Sequence, residues 1–305
     1  MSSTVTVTVP ATTANLGPGF DCLGAALTLY NQFTFSRLPV GSDRVVMKVS
    51  GAEADQVSTD SNNLVYQAFT RLFQQLNQTP PPVQIEIQLG VPLARGLGSS
   101  ATAIVGGLVG GNGLANTPLT QSQIMQMAVE IEGHPDNVVP ALLGGARLAA
   151  TGIDSPWEIC EIPWHRDIVP VVAIPNFELS TQVARQVLPA TYSRADAIFN
   201  TAHLGLLLRG LETANSHWLK AALQDRIHQP YRQSLIPGYE AVQSAAIGAG
   251  AYGMVISGAG PTLLALTAPE TAEAVRSAME DAWAGQGTTA QVKVLQIDTQ
   301  GAIAH

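Results

Sequence analysis

Pro92-Leu93-Ala94-Arg95-Gly96-Leu97-Gly98-Ser99-Ser100-Ala101-Thr102-Ala103 decides how this 305-residue chain folds. Upstream, Val83-Gln84-Ile85-Glu86-Ile87-Gln88-Leu89 alternates apolar and polar side chains, the pattern of a half-buried strand. Downstream, Ala101 to Leu108 is apolar, with small residues on every side. The segment predicts strand, glycine loop, helix. Gly96 and Gly98 let the backbone turn tightly and leave no side chain between loop and ligand. Ser99 and Ser100 are residues that cap helices well. No charged side chain occurs from Leu97 through Val129. The helix is therefore expected to be buried, with its N-terminus a fixed positive pole that favours an anion such as phosphate.

Two common nucleotide loops fit poorly. Gly96-x-Gly98-x-x-Ala101 has the spacing of a dinucleotide fingerprint, which also needs a strand running straight into the first glycine and an acid about 20 residues on. Here a proline-containing spacer intervenes, and no Asp or Glu follows until Glu130. A Walker A loop needs Gly-Lys-[Ser/Thr], and none of the lysines, Lys48, Lys220 and Lys293, follows a glycine. The glycines alone suit a tight turn beneath a closely packed helix equally well.

The surroundings are more specific. Pro92-x-x-x-Gly96-Leu97-Gly98-Ser99-Ser100-Ala101 resembles the phosphate loop of the GHMP kinases, which include galactokinase, homoserine kinase, mevalonate kinase and phosphomevalonate kinase. Pro10-Ala11-Thr12-Thr13-Ala14-Asn15-Leu16-Gly17-Pro18-Gly19-Phe20-Asp21 and Gly133-His134-Pro135-Asp136-Asn137-Val138-Val139-Pro140-Ala141 resemble the homoserine-kinase branch, and Met254 to Leu266 resembles the third motif of the whole family. The resemblance spans essentially the entire chain.

It implies a set of roles. Pro92, Leu93, Ala94, Arg95, Gly96, Leu97, Gly98, Ser99, Ser100, Ala101 and Thr102 would cradle ATP, with Asn62 and Asn63 near the adenine. Asn15 and Asp21 would reach the amino-acid substrate, Asp21 pairing with its ammonium; read alone, they are turn formers of a surface loop. His134 would line the substrate pocket and Asn137 would orient the attacking hydroxyl. Other branches carry a catalytic Asp where this chain has Asn137, so no strong base is expected; Asp136 beside it is the alternative. Thr181 and Arg185, one helical turn apart, belong to a segment resembling the family's Pro-x-x-x-x-Ser-Thr-x-x-Ala-Arg. Arg185 and Arg232 would hold the substrate carboxylate. Glu132 and Ser100 would ligate Mg²⁺, with Glu130 as the alternative carboxylate. The implied activity is ATP-dependent phosphorylation of L-homoserine, a step toward threonine, by a homodimer.

Composition bounds the partners. With net charge −8 and no basic patch, nucleic acid is not expected. Cys22 and Cys160 suggest neither a disulfide framework nor a metal cluster. The N-terminus, Met1-Ser2-Ser3-Thr4, has no basic or apolar leader, and the apolar runs are too short and glycine-rich to span a bilayer. A cytoplasmic location is expected.

Along the chain, strands are predicted at Thr4 to Val9, Leu27 to Phe35, Arg44 to Val49 and Val83 to Leu89, with a loop from Pro10 to Asp21. Helices are predicted at Leu64 to Leu76 and Ser122 to Ile131. A turn at 152–156 precedes the expected domain boundary. From Ile168 on, the order strand, helices, strand, strand, helix, strand is a split βαβ, ferredoxin-like pattern. The expected class is α+β in two domains: residues 1–160, implied by resemblance to be ribosomal-protein-S5-domain-2-like, and residues 161–305, ferredoxin-like.

Overall fold

The computed structural model describes residues 3–154 and 156–305; Met1, Ser2 and Ser155, and the leader and turn readings that touch them, lie outside the described residues. The chain opens with two long antiparallel strands, β1 (Thr4–Asn15) and β2 (Gly19–Arg37). The stretch expected to be a loop is therefore mostly strand, with a register shift between Pro10 and Ala11 that absorbs the proline. The true turn is the short link at Leu16, Gly17 and Pro18. Next come β3 (Val45–Ser50), α1 (Leu64–Gln75), β4 (Val83–Gln88) and α2 (Ser99–Leu114). Then follow α3 (Gln121–Glu132), α4 (Pro135–Leu143), β5 (Ala146–Thr151) and β6 (Trp157–Ile162).

These strands form one sheet in the order β11-β1-β2-β4-β3, with β5 on the first half of β2 and β6 beyond it. β11 (Ile303–Ala304) brings the C-terminus back onto β1. The helices α1 to α4 cover the sheet around a core that includes Phe33, Phe35, Phe69, Leu72 and Ile85. Glycine makes the close contact of α2 with this core feasible. A Cβ at Gly106 would sit 2.4 Å from the Phe33 ring, and one at Gly110 would sit 2.1 Å from Phe35.

The second half contains β7 (Val169–Pro175), α5 (Thr181–Gln186), α6 (Arg194–Thr213), α7 (Ser216–Ala222), α8 (Gln229–Arg232) and α9 (Tyr239–Gly248). It continues with β8 (Gly253–Ile256), β9 (Leu263–Thr267), α10 (Ala272–Gly285) and β10 (Ala290–Val294). Its sheet runs β10-β7-β9-β8, the ferredoxin-like order expected from the pattern. One face packs on α9 and α10 through Tyr239, Val242, Met279 and Trp283. The other face shares a core with the first half, where Leu23, Leu27 and Leu97 meet Val172, Val255 and Leu264. The two sheets thus hold one another through apolar contact, and the loops at their junction are fixed from both sides.

Candidate active site

At that junction lies a cavity of about 590 Å³. Its floor is the glycine loop. Four successive loop carbonyls are each taken by a donor from another segment: Ala94 O by Leu179 N, Arg95 O by Thr262 N, Gly96 O by the Ser257 hydroxyl and Leu97 O by Thr12 N. Gly96 and Gly98 both adopt positive φ, 75° and 67°. A Cβ at Gly96 would lie 2.3 Å from Ser257 O, and one at Gly98 would lie 2.0 Å from Thr12 Oγ1. These glycines are needed for loop packing as well as for ligand access.

Gly98 itself is the N-cap of α2, and it offers no side-chain cap. Ser99 and Ser100 are not caps, as their residue types suggested, but the first two helical residues. Their hydroxyls are thereby released: Ser100 Oγ donates to Glu132 Oε1 at 2.8 Å. The first-turn amides of α2 have no acceptor within the helix, so the buried helix presents them with its positive pole to the cavity.

Of the residues expected to hold ATP, Leu93, Ala94, Arg95, Gly96, Gly98, Ser99 and Ser100 line the cavity. Leu97 and Ala101 point into cores, Thr102 is buried against Asn31, and Pro92 faces a neighbouring cleft. Arg95 commits its side chain to protein partners. Its Nε and Nη1 donate to Pro175 O and Leu93 O, and Glu53 and Glu178 pair with its guanidinium. It bolts the loop to the second half. Asn62 and Asn63 also line the cavity, as do the apolar Phe33, Leu64 and Ile87. Asn63 is occupied there, since its side chain accepts from Val65 N as the cap of α1 and donates to Ser58 O.

The expected substrate residues Asn15, Asp21, His134, Asn137, Thr181, Arg185 and Arg232 all line the same cavity. Asn15 is buried with both amide atoms used, Nδ2 donating to Gly258 O at 2.7 Å and Oδ1 accepting from Asp21 N at 3.0 Å. Asp21 and Arg185 were expected to hold opposite ends of a ligand. They hold each other, in a two-pronged pair at 2.8 and 2.9 Å. Arg232 is almost wholly buried, its Nε and Nη1 donating to Ala184 O and Gly258 O. Burial, then the charge of Arg185, lowers its pKa.

Asp136 and Asn137 open α4, with Pro135 at its start. Pro140 cannot supply the N–H that would bind Asp136 O. The β2 backbone closes on that carbonyl instead, so tightly that a Cβ on Gly24 would lie 1.8 Å from it. Asp136 and Asn137, neighbours in sequence, both line the cavity. Asp136 Oδ1 accepts from Asn137 Nδ2 at 3.3 Å and meets His134 Nδ1 at 2.5 Å, while Thr12 Oγ1 donates to Asn137 Oδ1 at 2.7 Å. Burial opposes a charge on His134, but the Asp136 hydrogen bond and the nearby carboxylates outweigh it and raise its pKa. Burial pushes the Glu132 carboxyl up, partly offset by Ser100 and His134. Glu132 lines the cavity and reaches Ser100, whereas Glu130 bonds Gln126 on the exposed side of α3. Thr12, Phe20 and Asp136 belong to the quoted stretches, so the residues were visible in the sequence and their contacts were not.

The family models for the GHMP kinases N terminal domain and the GHMP kinases C terminal domain match residues 63–145 and 207–285. A homoserine kinase from Nostoc punctiforme is 68% identical over 300 residues, covering 98% of both chains. The chain belongs to the homoserine kinases of the GHMP family. A second member, from Thermosynechococcus vestitus, is 60% identical over 97% of both chains. The crystal structure of a homoserine kinase from Cytophaga hutchinsonii superposes with a TM-score of 0.89 at 29% identity, covering 100% of this chain and 98% of that one. A mevalonate kinase from L. major shares the fold alone, with a TM-score of 0.70 at 14% identity over 96% of this chain and 95% of that one. Among the described residues of this family member, no helix is long and apolar enough to cross a membrane.

Proposed function

We propose that the chain transfers the γ-phosphoryl group of ATP directly to the side-chain hydroxyl of L-homoserine. One observation carries this: a helix N-terminus suited to phosphate and a cluster suited to an amino acid share one cavity. The homoserine kinases at up to 68% identity support the choice of alcohol. The hydroxyl oxygen forms the new bond to γ-phosphorus as the bridging P–O bond to ADP breaks, and the hydroxyl proton passes to a phosphoryl oxygen. Residues 1–160 supply the nucleotide site and residues 161–305 complete the substrate site.

The contacts support a role for each residue. The loop and first-turn amides of α2 hold the phosphates. Asp21 takes the substrate ammonium, and Arg185 and Arg232 take its carboxylate; the amino acid exchanges with the Asp21–Arg185 pair. Thr181 closes the substrate end from α5. Asn137, fixed by Thr12 and Asp136, orients the hydroxyl beside His134. Asn137 cannot take a proton, so positioning and charge neutralisation carry the transfer.

The Glu132 carboxylate and Ser100 hydroxyl, 2.8 Å apart at the mouth of the helix, suit a hard cation that takes few protein oxygens. No group of three or more metal-ligating side chains occurs among the described residues. Mg²⁺ held there would neutralise phosphate charge. Steady-state kinetics test the assignment. Arg185→Ala should raise KM for homoserine far more than KM for ATP, and equal effects on both would remove Arg185 from the substrate site.

A further inference from the structure

Arg232 must present its guanidinium edge to the cavity at a fixed angle, yet it stands on α8, which is only four residues long. So short a helix gives little rigidity of its own. What holds it begins at Asp225, a buried carboxylate just upstream. Asp225 accepts from Asn200 Nδ2, Ile227 N, His228 N and Gln229 N at 2.7 to 3.0 Å. These bonds fix the backbone entering α8 and place the His228 ring, which is completely buried.

The two ring nitrogens of His228 face chemically opposite partners. Nε2 lies 2.9 Å from Gly17 O, and a carbonyl can only accept, so this nitrogen carries the proton. Nδ1 lies 3.5 Å from Arg232 Nη1, which can only donate, so this nitrogen is the acceptor. One neutral tautomer satisfies both. Burial, then the charge of Arg232, lowers the pKa of His228 against the pull of Asp225, which agrees with a neutral ring. The ring also stacks on Phe20 at 5.1 Å, and Phe20 underlies the guanidinium groups of Arg232 at 5.1 Å and Arg185 at 5.7 Å.

We propose that His228 is a positioning residue that ties the Gly17 turn, which leads from Asn15 to Asp21, to Arg232. It thereby fixes the spacing between the ammonium and carboxylate ends of the substrate site. This rests on the substrate assignment above. The Nδ1 contact is the longer of the two, but it is the one that aims the guanidinium; the Nε2 contact anchors the ring.

Two isosteric substitutions separate these contacts. His228→Gln keeps a donor near the Nε2 position and loses the acceptor. His228→Asn keeps an acceptor near the Nδ1 position and loses the anchor. KM for homoserine, KM for ATP and the thermal midpoint are measured for both, with Arg232→Lys alongside. Gln should raise KM for homoserine by on the order of tenfold, the scale of a lost hydrogen bond to a charged group, with KM for ATP within about twofold. Asn should raise it less and yet melt lower, so the two rankings oppose each other. Gln matching or outperforming Asn in homoserine KM, or neither changing it while Arg232→Lys does, overturns the positioning role. An unchanged homoserine KM in Arg232→Lys overturns the carboxylate assignment itself, and the proposal with it.

Discussion

At the scale of single residues, environment decides chemistry more than residue type does. The two cysteines show this. Cys160 is exposed, whereas Cys22 packs against the core beside Asp21, where burial, then the carboxylates of Asp136 and Asp21, pushes its thiol up to about 11. The thiolate is the reactive form, so iodoacetamide at pH 8 should label Cys160 and spare Cys22, with Cys22 labelling rising only as pH approaches 11. Peptide mass spectrometry reads this directly, and equal labelling at pH 8 would contradict the burial described. Asp136 is a second case. It holds both His134 and Asn137, so Asp136→Asn should lower turnover through lost orientation, by less than the about 10²–10⁴-fold that an assisting base contributes. Near-complete loss in a folded variant, with loss of the acid limb of the pH–rate profile, would make Asp136 the base. Residue types announced the charges at Asp21, Arg185 and Arg232 in the sequence. Their pairing was not legible, because Asp21 and Arg185 meet only when β2 and α5 are brought together.

At the scale of elements, α2 is the clearest link from sequence to site. Its run without charge announced burial, and its glycines are explained by the aromatic rings against it. Gly110→Ala would force a methyl against Phe35 and should destabilise by about 1–3 kcal/mol. Gly205→Ala on α6 meets open space and should stabilise by about 0.4–1 kcal/mol. Denaturant midpoints compare them, and equal shifts would refute close packing as the reason for the α2 glycines. The periodic α1 and β4 and the continuously apolar β7 were legible. The strand from Pro10 to Asn15 was hidden by its proline and small residues, and a register shift resolves the conflict. α4 was hidden by Pro140, whose missing N–H is accommodated by Gly24. β6 alternates only from Trp157 to Ile159 before Cys160 and Glu161 break the pattern, and β11 is two residues long, too short for any period to show.

At the scale of the molecule, two sheets share one core and clamp the glycine loop between them. His228 lies at this junction as a buried neutral ring, with Asp225 and Arg232 as its charged neighbours. Its folded pKa is below the ordinary 6.5, so under pH 6.5 the unfolded chain binds a proton that the native chain refuses. Stability should therefore fall as pH drops below about 6.5, and His228→Gln should flatten that slope. Urea midpoints at several pH values measure it; an unchanged slope would assign acid sensitivity to other groups. The fold class, both motif-bearing ends of the cavity and the Glu132–Ser100 pairing were foreshadowed by sequence. The return of the C-terminus to β1 and the mutual bonding of the site residues required the assembled chain.

We infer that this cavity joins ATP to an amino-acid alcohol. ADP release with Mg²⁺-ATP, measured across homoserine, serine, threonine, mevalonate and galactose, tests it most directly. Release should depend on homoserine and far exceed that with every other alcohol, with O-phosphohomoserine as the phosphorylated product. Absence of homoserine-dependent release, or a higher kcat/KM for mevalonate or galactose, would contradict it.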